Sequence, residues 1–587
     1  MPLYEFAGFR LDADKRLLLQ RDGAAVGLTP KGYETLAYLV EHSGAVVEKE
    51  QMIRAIWPDT AVEENNLTQN ISLLRRVLGE GRGEHRFIVT VPGRGYQFVA
   101  PVSVVSRADG GLGSVEDLSI AVLPFMNNST DPEYDYFADG LADELIHALS
   151  RAAGIRVAAR TSSFSFKGKQ IHVREIAAAL SVAFVLEGTV RKSDNRLRIT
   201  AQLVNAATGC PLWSERYERE VGSHDLFEVE DEITEAVMRA LRLNFSSSPF
   251  RNRTSTEGRG AATSPKAHEL YLKGRFHLFK MTESGIQTGI GYFERAIEEN
   301  PRYAPAYVGL AHAYRMFGLS LERPPGEVGS KSKTAALQAV AIDESLAEAH
   351  AVLAFTTFWY EWEWEGAERH FKRALELGPD SADAGWMYAH LRSTLLRHDE
   401  ALAMVARARA LDPLSSLIHA MEGQFLVHAG RTADAVPRLK EAIELDPRSR
   451  VAHLFAAKAY IEQGLFEEGL REAQISHDLC PTNSSGLANA AYAYALAGRP
   501  SEAIRILDAL LELAAKQYVP AFNIAMIYNA LAQTGDAITW LERGMEQRAP
   551  YMTFLASDPK WKNLRDEPRY LALLRRLNLP TAWPQGS

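Results

Sequence analysis

Pro379, Pro413, Pro447 and Pro481 follow one another at intervals of 34 residues, and no other feature limits the architecture of this chain so strictly. Small residues keep the same interval twice over, in the series Ala367, Ala401, Ala435, Gly469, Ala503, Ala537 and the series Ala389, Gly423, Ala457, Ala491, Ala525. Tyr460, Tyr494 and Tyr528 repeat it, as do Gly430, Gly464 and Gly498. Five concordant series mean one structural unit used again and again, each unit stacking on the next to bury an apolar face. Looser copies are expected over 267–301 and 303–344, the second with an insertion around Glu322 to Ser332 and with Glu344 in place of the closing proline.

A 34-residue helix-turn-helix unit, with small residues where helices cross and proline after the second helix, resembles the tetratricopeptide (TPR) repeat. The resemblance implies an all-α TPR superhelix over 266–550, about eight repeats, with a segment over 551–587 (Trp561, Leu564, Tyr570, Leu573, Leu574, Leu577) expected to cap the last groove. The inner face of such an array takes extended peptides or partner helices. Lys458, Asn489, Asn523 and Asn529 fall on first-helix positions that can point inward, where asparagine can hold a peptide backbone by paired hydrogen bonds. Ordinary polar helix surface is the alternative for each. Trp359, Trp362 and Trp364 read as packing between repeats rather than a ligand box.

The N-terminal region has a different rhythm. Residues 3 to 28 alternate apolar and polar in short runs, which predicts a small antiparallel sheet. Thr29 and Pro30 open a first helix with Tyr33, Leu36, Leu39 and Val40 on its buried stripe, and a second helix is expected over Glu48 to Trp57. A third, over Asn65 to Leu78, sets Leu67, Ile71, Leu74 and Leu78 on one face and polar side chains on the others. Phe87 to Phe98 then form a hairpin around Pro92-Gly93-Arg94-Gly95, whose glycines permit a tight turn and close backbone approach.

This order of elements, with PGRGYQF in the hairpin, resembles the winged-helix DNA-binding domain of OmpR/PhoB-type response regulators and of the ToxR and CadC activators. The resemblance covers residues 3 to 101 and implies an α+β fold bound to double-stranded DNA. The third helix would enter the major groove, with Thr68, Gln69, Ser72 and Arg75 facing bases, Asn66 and Arg76 nearer phosphate, and Arg94 in the wing at the minor groove. Charge agrees in part: residues 1–101 carry 12 Lys+Arg against 13 Asp+Glu, yet 65–101 carry five arginines against two glutamates. Where the family often has arginines, this helix has Ser72 and Leu73.

After a linker at 102–117, residues 118–243 alternate strands and helices, predicting an α/β domain. IAVLPFMNNST, YFADGLADELIHALSR and FVLEGTVRK resemble the TolB-like domain that accompanies regulatory modules. Asp139, Asp143, Glu144 and His147 share a helix but lack a third convergent ligand for a metal and read as a solvated face. Phe166-Lys167-Gly168-Lys169 lacks the pattern of a phosphate loop. A flexible linker is expected over 244–265.

The net charge of −9 offers no general attraction for nucleic acid, so any DNA contact must be local. Two distant cysteines, Cys210 and Cys480, fit a reducing compartment, and no run is long and apolar enough for a membrane span. The expectation is a multidomain cytoplasmic transcriptional regulator, not an enzyme, with no cofactor, no metal and no membrane partner, whose repeats receive a protein or peptide and whose DNA binding involves a homodimer or multiple contacts. Two alternatives stand beside it: an assembly scaffold whose winged helix touches proteins, or a regulator sensing a small molecule through the middle domain.

Overall fold

The computed structural model divides the chain into two units, Met1–Glu116 and Asp117–Ser587. It describes residues 3–7, 9–12, 17–20, 25–26, 28–57, 64–80, 86–105, 118–129, 134–150, 154–193, 196–220, 225–244 and 264–583. The linker expected over 244–265 lies almost wholly outside these residues, as do most of the linker at 102–117, Pro58 and Arg82.

In the first unit, β1 (Leu3–Phe6), β2 (Phe9–Asp12), β3 (Leu17–Gln20) and β4 (Ala25–Val26) form an antiparallel meander. Thr29 caps α1 (Pro30–Glu41) by accepting from the Gly32 N–H at 3.1 Å. A short strand that alternation did not reveal, β5 (Val46–Glu48), leads into α2 (Lys49–Ile56) and then α3 (Glu64–Val77). The hairpin of β6 (Ile88–Val91) and β7 (Gly95–Phe98) closes a three-stranded sheet with β5. The expected linker begins instead with β8 (Ser103–Val105), which satisfies the free edge of β1 in antiparallel register, Leu3 opposite Val105. Leu67, Ile71, Leu74 and Leu78 meet Leu36, Leu39, Phe87 and Phe98 in the core, where Phe6 sits edge-on to Phe98 at 5.0 Å.

The second unit begins with a mixed sheet. Its strands are β9 (Leu118–Val122), β10 (Met126–Asn127), β11 (Ile155–Val157), β12 (Phe184–Ser193), β13 (Arg196–Asn205) and β14 (Pro211–Glu220), in the order β11-β9-β12-β13-β14 with β10 beside β12. Of its helices, α4 (Asp135–Ser150) and α7 (Asp225–Asn244) cover one face, while α6 (Val173–Leu180) packs on the other, behind the short α5 (Arg160–Phe164). This is the expected α/β layering.

Eight helix pairs follow: α8 (Pro265–Leu278) with α9 (Glu283–Glu299), α10 (Ala304–Leu321) with α11 (Pro325–Ile342), and α12 (Ala347–Thr356) with α13 (Trp364–Leu377) across a π-helical turn, Thr357–Glu361. Next come α14 (Ala382–Thr394) with α15 (His398–Leu411), α16 (Ser416–His428) with α17 (Thr432–Leu445), and α18 (Arg450–Glu462) with α19 (Phe466–Leu479). The last are α20 (Ser485–Leu496) with α21 (Pro500–Ala514) and α22 (Ala521–Ala530) with α23 (Thr534–Glu546). Gly430, Gly464 and Gly498 end first helices at φ +74°, and Trp362, Leu396 and Ala532 hold the same place in the repeat at φ +60°, +60° and +59°. The turn between paired helices therefore needs a left-handed residue whether or not glycine supplies it.

The two parts of this unit are joined by buried charge. Asp139 and Asp143 are not a solvated face: they are 8% and 7% exposed. Asp139 pairs with Lys167 at 2.6 Å, while Asp143 lies between Arg160 at 3.4 Å and Arg275 of α8 at 2.8 Å. Gly140 lets α4 approach closely, since a Cβ there would stand 2.9 Å from Leu272. Further along, Asp412, after α15, accepts hydrogen bonds from the Ser162 N–H at 3.0 Å and from its hydroxyl.

Burial pushes the Asp412 carboxyl up to about 6, against the Ser162 hydrogen bonds that favour its charged form. A carboxyl whose folded value is raised contributes most below the unfolded value and loses that contribution as pH rises through the folded one. The thermal midpoint of the second unit is therefore expected to fall from pH 4 to pH 7, and Asp412→Asn to flatten that slope; an unchanged slope in the variant would refute the assignment.

The C-terminal segment packs on the last helix pair, where Arg569 meets Glu542 of α23 at 2.6 Å, and reaches well beyond it. It comprises the 3-10 turns Pro550–Phe554 and Pro559–Leu564 and then α24 (Pro568–Arg576), and it runs across the inner helices of repeats three to eight. Phe554 stacks on His390 of α14 at 4.9 Å and lies 5.5 Å from Trp359. Trp364 Nε1 donates to the Leu577 carbonyl at 3.0 Å, so the tryptophans expected between repeats also grip this segment.

Candidate nucleic-acid interface

The apolar stripe of α3 turns into the core and leaves Asn66, Thr68, Gln69, Ser72 and Arg76 exposed. The Ser72 hydroxyl bonds back to the Thr68 carbonyl at 2.9 Å. Beyond the helix, the turn between β6 and β7 holds Gly93 at φ +72° and leaves Arg94 exposed at its tip. The backbone carbonyl of Arg94 accepts from the Lys49 N–H at 3.3 Å, which ties the turn to the start of α2 and leaves the guanidinium free to project.

Arg75 departs from its expected base-facing role. Its Nη2 donates to the Ile88 carbonyl at 2.9 Å and to the Thr90 hydroxyl at 2.8 Å. Its Nε lies 3.7 Å from Glu80, whose other carboxylate oxygen accepts from the Phe87 N–H at 3.0 Å. Arg75 thus braces the wing against α3, at the end of the helix where its side chain can reach the hairpin. Glu80 and Thr90, overlooked in the sequence, complete that brace; a glutamate set in the turn after the helix and before the hairpin was the signal available. Arg86, also exposed, adds positive charge near the base of β6.

This geometry offers two kinds of contact side by side: short polar side chains on a helix narrow enough for a major groove, and one arginine on a two-stranded ribbon. Residues 23–98 match the family model "Transcriptional regulatory protein, C terminal". The N-terminal unit is an OmpR/PhoB-type winged helix.

Behind the winged helix, residues 116–236 match the model of the HilA/YgeH-like transcriptional regulator, second domain, and residues 426–474 match the tetratricopeptide repeat. A Rhizobium meliloti protein named "Putative adenylate cyclase 3" is 40% identical over 193 residues, 33% of this chain and 32% of that protein. The transcriptional regulator HilA of Salmonella typhimurium is 24% identical over 412 residues, 70% of each chain. The transcriptional regulatory protein CutR of Streptomyces coelicolor is 39% identical over 97 residues, 16% of this chain and 42% of that one. The chain thus spans about a third of the first of these relatives.

The inner face of the repeats is already occupied. Asn529 donates to the Lys560 carbonyl at 2.7 Å, Asn523 to the Ser484 hydroxyl at 2.8 Å, and Asn489 to the Ser485 carbonyl at 2.8 Å. Lys458 lies 3.9 Å from Asp558. The four side chains do turn inward, but two of them hold the chain's own C-terminal segment, and an incoming peptide would meet that segment first. Among the described residues no helix is long and apolar enough to cross a membrane.

Proposed function

We propose that the chain is a cytoplasmic, non-enzymatic transcriptional regulator whose winged helix binds double-stranded DNA, α3 in the major groove and the Arg94 wing in the minor groove beside it. The observation that carries this reading is the exposed polar row of α3 next to an exposed arginine on a braced hairpin. The similarity to HilA and CutR, both named as transcriptional regulators, points the same way. Asn66, Thr68, Gln69 and Ser72 are the contacts to bases and to the nearby backbone, and Arg76 and Arg94 the charged ones; Arg75 acts by holding the wing.

With so few cations on the reading helix, phosphate attraction is modest, and paired half-sites bound by a homodimer would supply the remaining affinity. The test is genome-wide occupancy of the intact protein against Arg94→Ala, followed by gel shifts across a salt series on the sites found. Arg94→Ala is expected to weaken binding by about 1–3 kcal/mol and to lower the slope of log K against log salt by about one. Equal occupancy and an equal slope would refute the reading.

The middle domain, TolB-like by its strand motifs, is the connector that fixes the repeat array through Asp143 and Asp412. The array is the regulatory input for a protein or peptide partner, which reaches Lys458, Asn489, Asn523 and Asn529 only by exchanging with residues 550–579.

A further inference from the structure

Arg275 and Arg392, on the first helices of repeats one and four, each meet a carboxylate: Arg275 has Asp143 at 2.8 Å, and Arg392 has Glu368 at 3.0 Å. Arg315, on the first helix of repeat two, has none. Its guanidinium lies over the Phe355 ring at 5.0 Å, its Nη2 is 3.4 Å from His312 Nδ1, and its Nε is buried without a hydrogen-bond partner. Among the described residues it forms no ion pair. Asp383 acts on it only from a distance, and one oxygen of that carboxylate accepts from Trp386 Nε1 at 2.9 Å.

Of the groups that act on this cation, Asp383 is the one carboxylate, and it makes no direct contact. Burial, with Arg315 and Arg275 adding, pushes His312 down to about 3, so the imidazole is neutral at physiological pH. The Tyr360 phenol lies within electrostatic reach of Arg315, and burial makes it a weaker acid, which keeps it a hydroxyl donor. That hydroxyl is buried without a partner, and so is the hydroxyl of Tyr518, which lies within electrostatic reach of Tyr360. Buried donors are retained in folded proteins when something pairs with them, and the enclosed Nε edge of the half-buried Arg315 is one of them. The planar guanidinium accepts an oxyanion through two parallel N–H bonds.

We propose that Arg315 and the Tyr360 hydroxyl form a binding site, inside the repeat array, for the carboxylate or phosphate group of a small ligand. It gives the array a small-molecule input in addition to a protein one.

The test follows the thermal midpoint of the full chain in inorganic phosphate and, separately, in succinate, each against sodium chloride at matched ionic strength. A saturable rise beyond chloride is expected, since a ligand that binds only the folded state stabilises it by mass action. A response to phosphate alone assigns a phosphate ligand, and one to succinate alone a carboxylate. Arg315→Met is expected to abolish the saturable rise without lowering the ligand-free midpoint, because an apolar side chain of similar length removes a half-buried charge that has no ion-pair partner in contact. Should that variant not fold, Tyr360→Phe decides: the half-saturating concentration is expected to rise several-fold. Absence of any rise beyond chloride in the parent chain, or a parent-like response in the variant that folds, would overturn the proposal.

Discussion

An Asp558→Ala chain is expected to lose about 3–5 kcal/mol of stability in its second unit, because removing one member of a buried ion pair strands the charge left behind. The Asp558 carboxylate is buried at the head of the turn Pro559–Leu564, 2.6 Å from the Lys560 ammonium and 3.9 Å from that of Lys458. Both lysines are themselves enclosed, Lys560 beside the rings of Tyr492 and Phe522. Alanine would strand the Lys560 ammonium and take from Lys458, which burial already pushes down to about 7, the carboxylate that favours its charged form. Asp558→Asn keeps an oxygen to accept the Lys560 N–H and is expected to show most of the same loss, separating charge from capping. Urea unfolding followed by tryptophan fluorescence reads this directly, since Trp57 is the one tryptophan of nine that lies before residue 117. A loss below about 1 kcal/mol would mean the lysines find other partners on unfolding the turn.

Gly95→Ala is expected to cost the winged helix about 1–3 kcal/mol or more and to abolish DNA binding by the intact protein. A Cβ at Gly95 would stand 1.9 Å from the Val47 carbonyl oxygen and 3.0 Å from Glu48 Cα, both backbone atoms of β5 that cannot swing aside. The hairpin would lift from β5, carrying with it Arg94 and the Arg75 contacts to Ile88 and Thr90. Gly93→Ala makes the control. Its position is left-handed at φ +72° but open, so it should cost about 1 kcal/mol and leave the hairpin in place. Circular dichroism melts of residues 1–116 alone and gel shifts with the intact chain distinguish the two. Equal melting of the two variants would contradict the close-approach account.

What could be read in the sequence was what repeats or alternates. The 34-residue interval marks helix pairs because each pair needs the same crossing and the same turn, and Gly430, Gly464 and Gly498 announce that turn openly. Trp362, Leu396 and Ala532 adopt it silently, since no residue preference reveals a left-handed alanine. Strands β9 and β12 were legible as apolar runs, whereas β8 was not, because three residues pairing with a strand about a hundred positions earlier carry no local signature.

Charge partners failed for the same reason. Asp143 looks like surface until Arg160 and Arg275 are brought to it, and the second of these lies on another part of the fold. Arg75 looks like a base reader until the wing folds back on it. The path of the C-terminal segment was the least legible of all: Trp364 meets the carbonyl of Leu577 across a separation of 213 residues, with no periodicity to predict it.

The array also meets itself. The Ser484 hydroxyl, at the start of repeat seven, donates to Glu322 at the end of α10 at 3.0 Å, and Arg548 reaches the Glu361 carbonyl at 3.2 Å. Ordinary solenoids touch only their neighbours, so they lengthen or shorten by whole units with little penalty. Here a duplicated unit between repeats two and seven would push Ser484 away from Glu322 and leave the C-terminal segment too short for its seat. The number of repeats in this chain is therefore fixed by closure: its side chains have room to change where its length does not.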